Sequence, residues 1–141
     1  MTSLVFPDIN VWLALASSLH VHHQQAKRWY DSLEDEDLIF CRFTQLGLLR
    51  LLTTQAVMGT DTLTQRQAWH VYDAFLKDGG SRFLYEPRTL EDSFRTLSQR
   101  SSASPKDWAD SYLAAFAHEI GAKLITFDKA LAARSKEAIV L

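Results

Sequence analysis

Residues 104–128, SPKDWADSYLAAFAHEIGAKLITFD, decide how the rest of the chain is read. Ser104, Pro105 and Asp107 match an N-cap, a first-turn proline and an acidic capping-box partner. They predict a helix that runs to Ile120 and stops at Gly121. Lys123 to Phe127 follows as a short apolar strand that delivers Asp128 at its carboxyl end. A helix feeding a buried strand is the rhythm of an α/β fold, and the remaining sequence keeps it.

Toward the N-terminus, Leu4 to Phe6 is an apolar run ended by Pro7 and Asp8, which reads as a buried strand with Asp8 at its carboxyl end. Val11 to Ala16 is predicted helical, and a second amphipathic helix runs from about His22 to Leu33 with Ala26, Trp29 and Leu33 at helical spacing. Leu38 to Cys41 is a second strand, and Phe43 to Thr53 a buried helix. Gly59 to Asp61 punctuates the chain. Thr64 to Lys77 carries Ala68, Val71, Tyr72 and Phe75 on one helical face before Asp78-Gly79-Gly80 stops it. Phe83 to Tyr85 is a further strand and Thr89 to Arg100 a further helix. After Asp128, Lys129 to Arg134 is a short helix and Ala138 to Leu141 a final strand. The expected fold is a three-layer α/β/α sandwich with a mainly parallel sheet and right-handed crossovers, its helical middle from Thr44 to Arg100 partly an arm outside the sheet. No internal repeat, linker or low-complexity tract calls for a second domain, so residues 1–141 are read as one.

Bulk properties narrow the function. The chain has 141 residues, 47% of them hydrophobic, enough for a real core. A net charge of -2 supplies no whole-molecule attraction to polyanions, so nucleic-acid contact would need a local basic patch. Cys41 is the only cysteine, which excludes an internal disulfide and suits a reducing cytoplasm. The first eight residues lack the basic and apolar regions of a signal peptide, and no apolar run approaches membrane-spanning length. A cytoplasmic, membrane-free protein is expected.

The chemistry lies in the aspartates. Asp8 and Asp128 each follow an apolar strand, and a parallel sheet brings such positions to one edge. Asp110, one turn inside the helix that opens near Ser104, can face the same edge. Three carboxylates crowded in a partly desolvated cleft repel one another and call for a cation, and hard oxygen ligands favour Mg²⁺ or Mn²⁺. Taken singly, an Asp after a strand is an ordinary turn or N-cap residue, and an α/β domain with such aspartates needs no metal at all.

The combined pattern is more specific. Asp8-Ile9-Asn10 after the first strand, Ala109-Asp110-Ser111-Tyr112-Leu113-Ala114-Ala115-Phe116-Ala117 on a helix, and Leu124-Ile125-Thr126-Phe127-Asp128 after a glycine break resemble the PIN-domain family. The nearest likeness is to the VapC-type toxins of bacterial and archaeal toxin–antitoxin pairs, and it runs in order from Leu4 to about Leu131. The resemblance implies a metal-dependent endoribonuclease with Asp8, Asp110 and Asp128 as catalytic metal ligands, and Asn10, Thr126 and Ser111 as supporting hydrogen-bond partners. It also implies an RNA substrate, a cognate antitoxin that blocks the acidic cleft with a basic side chain or helix, and a homodimer. The exposed face of the Thr64–Lys77 helix, or the region of Trp12 and Trp29, is the expected interface.

The sequence departs from the family at Gln45, where the helix after the second strand usually carries a glutamate. Glutamine offers a carbonyl oxygen but no charge, which lowers metal affinity. Asp107, three positions before Asp110, can compensate from the same helix face or act in the capping box. The substrate is a polyanion, so Arg42, Arg50, Lys106, Lys129 and Arg134, next to the site-bearing segments, are the candidate RNA contacts. His20, His22 and His23 lack the companion ligands of a zinc site and read as a solvated helix entry. Trp12, Trp29, Trp69 and Trp108 read as core or interface groups rather than base-stacking platforms, and His70 as a surface or packing residue. The alternative function is a catalytically weakened PIN domain that binds RNA or protein. A receiver-like signalling domain lacks its paired acids and its lysine here.

Overall fold

The structure is a computed structural model and describes residues 2–141. Strands β1 (Leu4–Pro7), β2 (Asp37–Phe40), β3 (Ser81–Phe83), β4 (Lys123–Thr126) and β5 (Ala138–Val140) form one sheet in the order β3-β2-β1-β4-β5. Every pairing in it is parallel. The helices are α1 (Ile9–Ala16), α2 (His23–Ser32), α3 (Arg42–Leu52), α4 (Gln55–Met58), α5 (Gln65–Lys77), α6 (Leu90–Leu97), α7 (Asp107–Ile120) and α8 (Lys129–Ala132), with a 3-10 turn at Gly59–Asp61.

Alternate residues of a strand face opposite sides of the sheet, and the central strands are apolar on both sides. Val5, Leu38, Phe40 and Ile125 enter one core with Trp12 of α1, Leu48 and Leu52 of α3 and Tyr72 of α5. Phe6, Ile39 and Leu124 enter the other with Leu90 of α6 and Leu113 and Phe116 of α7. Full burial of side chains of this size stabilises by about 1.5–3 kcal/mol each, so both faces must stay covered by helices. The result is the expected three-layer α/β/α sandwich. Trp12 stacks on Phe40 with ring centroids 3.7 Å apart, which fastens α1 to β2. On the same face α1 and α3 meet at Gly47, where an added Cβ would come within 2.3 Å of Ile9 Cδ1.

The strand order locates the site. From β1 the chain lays β2 and β3 to one side, then returns to place β4 and β5 on the other. That reversal opens a crevice between the carboxyl ends of β1 and β4, the position where open α/β sheets take ligands.

Several boundaries differ from expectation. The strand predicted at Phe83–Tyr85 lies at Ser81–Phe83, because the turn is already complete at Gly79, whose φ of 81° is left-handed, and the Gly80 carbonyl accepts from the Leu38 N–H. The helical middle forms no arm: α5 buries Ala68 and Tyr72, β3 joins the sheet and α6 packs on α7, leaving only α4 and the 3-10 turn without a buried residue. Helix α7 starts at Asp107 with Lys106 at its N-cap and no side-chain cap bond, so the predicted capping box is absent. Its other end is as expected, with Gly121 left-handed at φ 70°. Among the described residues no helix is long and apolar enough to cross a membrane.

Candidate active site at the carboxyl ends of β1 and β4

Asp8 leaves β1 with its backbone N–H still donating to the Ile125 carbonyl of β4 (2.9 Å), and its side chain caps α1, Oδ1 accepting from the Val11 N–H at 3.0 Å. The other oxygen, Oδ2, accepts from Thr126 Oγ1 at 2.5 Å. Thr126 is wholly buried at the end of β4, and the same hydroxyl oxygen accepts the Asp128 N–H at 2.9 Å. Asp128 turns its Oδ1 onto the first turn of α8, accepting from Ala130 and Leu131, which leaves Oδ2 open. One threonine therefore couples the two strand ends.

Burial pushes the Asp8 carboxyl above the ordinary carboxylate range, and repulsion from Asp128 adds to that, against the opposing hydrogen bonds from Thr126 and Val11. Asp110, half-buried in the first turn of α7, is raised first by burial and then by Asp128 and Asp107, while Lys106 and Arg134 pull it down. The three do not converge on a point, however: among the described residues no three His, Cys, Asp or Glu side chains are grouped closely enough to hold an ion. The three expected carboxylates therefore do not form a closed cluster, although Asp128 is near enough to raise both Asp8 and Asp110. Hard oxygen donors in that state suit a cation such as Mg²⁺, which keeps several waters and needs only one or two carboxylates.

Gln45 lies in the first turn of α3, buried, with its Oε1 accepting from Arg42 Nη1 at 2.6 Å. Thr44 starts that helix by accepting from and donating to Cys41, whose thiol burial pushes above its usual range. Asn10 is exposed in α1, and its backbone rather than its side chain bears on Asp8.

Three predicted roles are overturned by the structure. Asp107 does not lend its charge to the acidic pairs. It accepts from Arg100 Nη2 at 2.9 Å, from Arg134 Nη1 and from Ser111 Oγ at 2.9 Å. Burial raises its carboxyl, but the hydrogen bonds from Arg100 and Ser111 and the charge of Arg134 more than offset this and hold it below the usual range. Ser111 likewise serves Asp107 and Arg134 rather than Asp110 or Asp128. Arg134, predicted to meet RNA, is committed to Asp107, Ser111 and the Leu97 carbonyl and is largely buried. Arg100 carries no motif; its only signal in the sequence is its place in a polar loop ahead of Asp107.

The other basic candidates are exposed. Lys106 and Lys129 flank Asp110 and Asp128 and form no ion pair among the described residues, and Arg42 lies over the Phe83 ring at 4.7 Å. Arg50 borders an apolar groove of about 600 Å³ with Ile9, Leu46, Gly47 and Trp69. Trp12 is fully buried and makes no surface itself, Trp29 is partly buried, and Trp69 and Trp108 are about half exposed or more and are not core groups. His22 stacks on Phe127 and His23 Nδ1 meets the Ala14 carbonyl, so the histidines serve the entry to α2.

The PIN domain profile matches residues 5–137. Ribonuclease VapC41 of Mycobacterium tuberculosis is 47% identical over 130 residues, which is 87% of this chain and 88% of that protein. The crystal structure of M. tuberculosis VapC20, described as a sarcin-ricin loop cleaving toxin, matches with a TM-score of 0.69 at 20% identity, over 93% of this chain and 94% of that one. VapBC-1 from nontypeable Haemophilus influenzae matches with a TM-score of 0.66 at 16% identity, over 97% of each chain. At those identities the two structural likenesses speak to the fold.

Proposed function

The chain belongs to the PIN-domain family, and we propose that it is a VapC-like endoribonuclease, the toxin of a toxin–antitoxin pair, acting on RNA in the cytoplasm as one catalytic domain. The observation that carries this reading is the coupling of Asp8 and Asp128 through Thr126 at the crevice between β1 and β4. Asp8, Asp110 and Asp128 are the groups that would hold a divalent ion, Mg²⁺ or Mn²⁺, one or two of them directly and the rest through the ion's waters, since the three do not close into one cluster by themselves. Such an ion supplies charge neutralisation for the scissile phosphate and a lowered pKa for water at the site.

The protein's own residues do the rest. Thr126 fixes the rotamer of Asp8 and the backbone of Asp128, so neither carboxylate must reorganise when a phosphate arrives. Lys106 and Lys129, exposed beside the acids, draw the RNA backbone toward a cleft that is otherwise repulsive to it, and Arg42 extends that contact. No side chain in the crevice is needed as a covalent nucleophile.

An antitoxin fits the groove bordered by Ile9, Leu46 and Trp69, which is apolar and adjoins Asp8 through Ile9. A basic side chain carried by that partner would reach the acids, and structural neighbours solved as VapBC assemblies support such a partner. The exposed face of α5, which carries Trp69, is the proposed surface for either the antitoxin or a second copy in a homodimer.

The test is cleavage of total cellular RNA by purified, antitoxin-free protein with Mg²⁺ or Mn²⁺, against EDTA and against Asp8→Asn. Discrete fragments that require both the metal and Asp8 establish the activity. Intact RNA with either ion would favour the second reading, a PIN domain that binds RNA or protein without cutting. The observation behind that reading is Gln45, uncharged and already hydrogen-bonded to Arg42.

A further inference from the structure

Asp110 and Asp128 come from separate segments, α7 and the turn into α8, and nothing joins their side chains directly. Asp110 makes no side-chain hydrogen bond among the described residues, and Asp128 spends Oδ1 on its own helix. The two carboxylates repel, which tends to drive α7 and α8 apart. Beside them Arg134, two residues beyond α8, donates through Nη1 to Asp107 in the first turn of α7 and through Nη2 to Ser111 Oγ at 3.0 Å, one turn on. Its Nη2 also reaches the Leu97 carbonyl at the end of α6. Among the described residues the bonds to Asp107 and Ser111 are the only hydrogen bonds between residues 104–114 and 127–137.

We propose that Arg134 is a positioning residue: its guanidinium pins the end of α8 to the first turn of α7 and so fixes the spacing between Asp110 and Asp128. This rests on the assignment of those two aspartates to the active site. Asp107 lies three residues before Asp110 on the same helix, and Asp128 caps the helix that Arg134 closes, so the tie acts within one turn of Asp110 and within two turns of Asp128. The planar fork is essential, since one group must bond a carboxylate, a hydroxyl and a carbonyl held in fixed directions. A lysine ammonium is a point charge on a flexible stem and cannot do this. Arg100 provides an internal contrast: it pairs with the same Asp107 oxygen but does not reach the α8 segment.

The test compares full-length wild type, Arg134→Gln, Arg134→Lys and Arg100→Gln, measuring Mn²⁺ binding by EPR, kcat and KM for RNA, and thermal melting. Arg134→Gln still leaves Asp107 paired with Arg100, so the chain keeps a partner for that buried charge. Arg134→Gln is expected to weaken Mn²⁺ binding by about tenfold or more and to lower kcat with KM unchanged, the effect of losing an outer-shell partner. Arg134→Lys should recover only part of this, and Arg100→Gln should bind Mn²⁺ as wild type does. If Arg134→Gln does not fold, the same comparison is made on Arg134→Lys.

A lower melting temperature with wild-type Mn²⁺ binding and kcat would reduce Arg134 to a stabilising contact and overturn the proposal. So would a change in KM alone, or an equal loss in Arg100→Gln. Wild type that holds Mn²⁺ but leaves RNA intact removes the ribonuclease reading, and Arg134 is then judged on Mn²⁺ binding. Wild type that holds no Mn²⁺ overturns both.

Discussion

Thr126 Oγ1 lies 2.5 Å from Asp8 Oδ2 and 2.9 Å from the Asp128 backbone nitrogen, so one buried hydroxyl joins two strand ends that are 118 residues apart for the first contact. Valine has the shape of threonine without that hydroxyl. Thr126→Val should therefore fold, lower kcat for RNA by about 10–100-fold and lower stability by about 1–3 kcal/mol, because a buried carboxylate oxygen and a backbone N–H both lose their partner. Thr126→Ser should retain most of both. Single-turnover cleavage and urea denaturation measure the two effects, and an unchanged rate in folded Thr126→Val would take Thr126 out of the mechanism.

Asp8 sets function against stability. Burial, and then Asp128, raise its carboxyl in the folded state, so the fold binds that proton more tightly than the unfolded chain does. Stability linked to Asp8 is thus lost as pH rises from the unfolded carboxyl's value of about 3.9 through the raised folded one, and the loss persists at neutral pH. Asp8→Asn, neutral throughout, should melt higher than wild type at pH 7 while cleaving less than the roughly 100-fold loss of an outer-shell variant would leave. Below about pH 4 the difference in melting should close. Mn²⁺ should reverse the order at pH 7 by stabilising only wild type, by about 2.7 kcal/mol at 100 times its dissociation constant.

The fold was legible because its two central site-bearing strands are apolar runs ended by Asp8 and Asp128, and its helices carry period-3.6 faces; β3, Ser81-Arg82-Phe83, has no such pattern and begins two residues before its expected place. What periodicity does not encode is sheet order. The sequence places Asp8 and Asp128 at strand ends, but only the order β3-β2-β1-β4-β5 makes those strands neighbours. Side-chain pairing is hidden for a similar reason. Asp107 three residues before Asp110 reads as a spare ligand or a cap until Arg100 and Arg134, from two other segments, are seen to occupy it. Trp108 follows the same rule: an aromatic in the first turn of an otherwise buried helix reads as core, yet it projects past α6 into solvent.

Gln45 allows the metal reading to be tested by gain rather than loss. The resemblance to the family implies a further acid at this position, and the Gln45 Oε1 already accepts from Arg42. Gln45→Glu should keep that contact as a charge-assisted one and lower the Mn²⁺ concentration for half-maximal cleavage by about tenfold, since affinity for hard cations follows ligand charge. Without metal the added charge should lower the melting temperature, and Mn²⁺ should more than restore it. A metal titration unchanged by the substitution would place residue 45 outside the ion's reach.

One helix joint carries both Asp8 and Gln45. Helix α1 begins directly after Asp8, α3 carries Gln45, and the two meet where Gly47 faces Ile9. A Cβ at position 47 would lie 2.3 Å from Ile9 Cδ1, 2.7 Å from Cγ1 and 3.2 Å from Cγ2, so rotating the tip of the isoleucine cannot relieve all three contacts. Gly47→Ala should therefore cost about 1–3 kcal/mol in urea denaturation, although alanine is the better helix former by about 1 kcal/mol. The cost should largely disappear in an Ile9→Ala background, giving a coupling within the roughly 0.5–3 kcal/mol range of contacting residues. A Gly47→Ala penalty that is the same in both backgrounds would show that the helices are held apart by something other than Ile9.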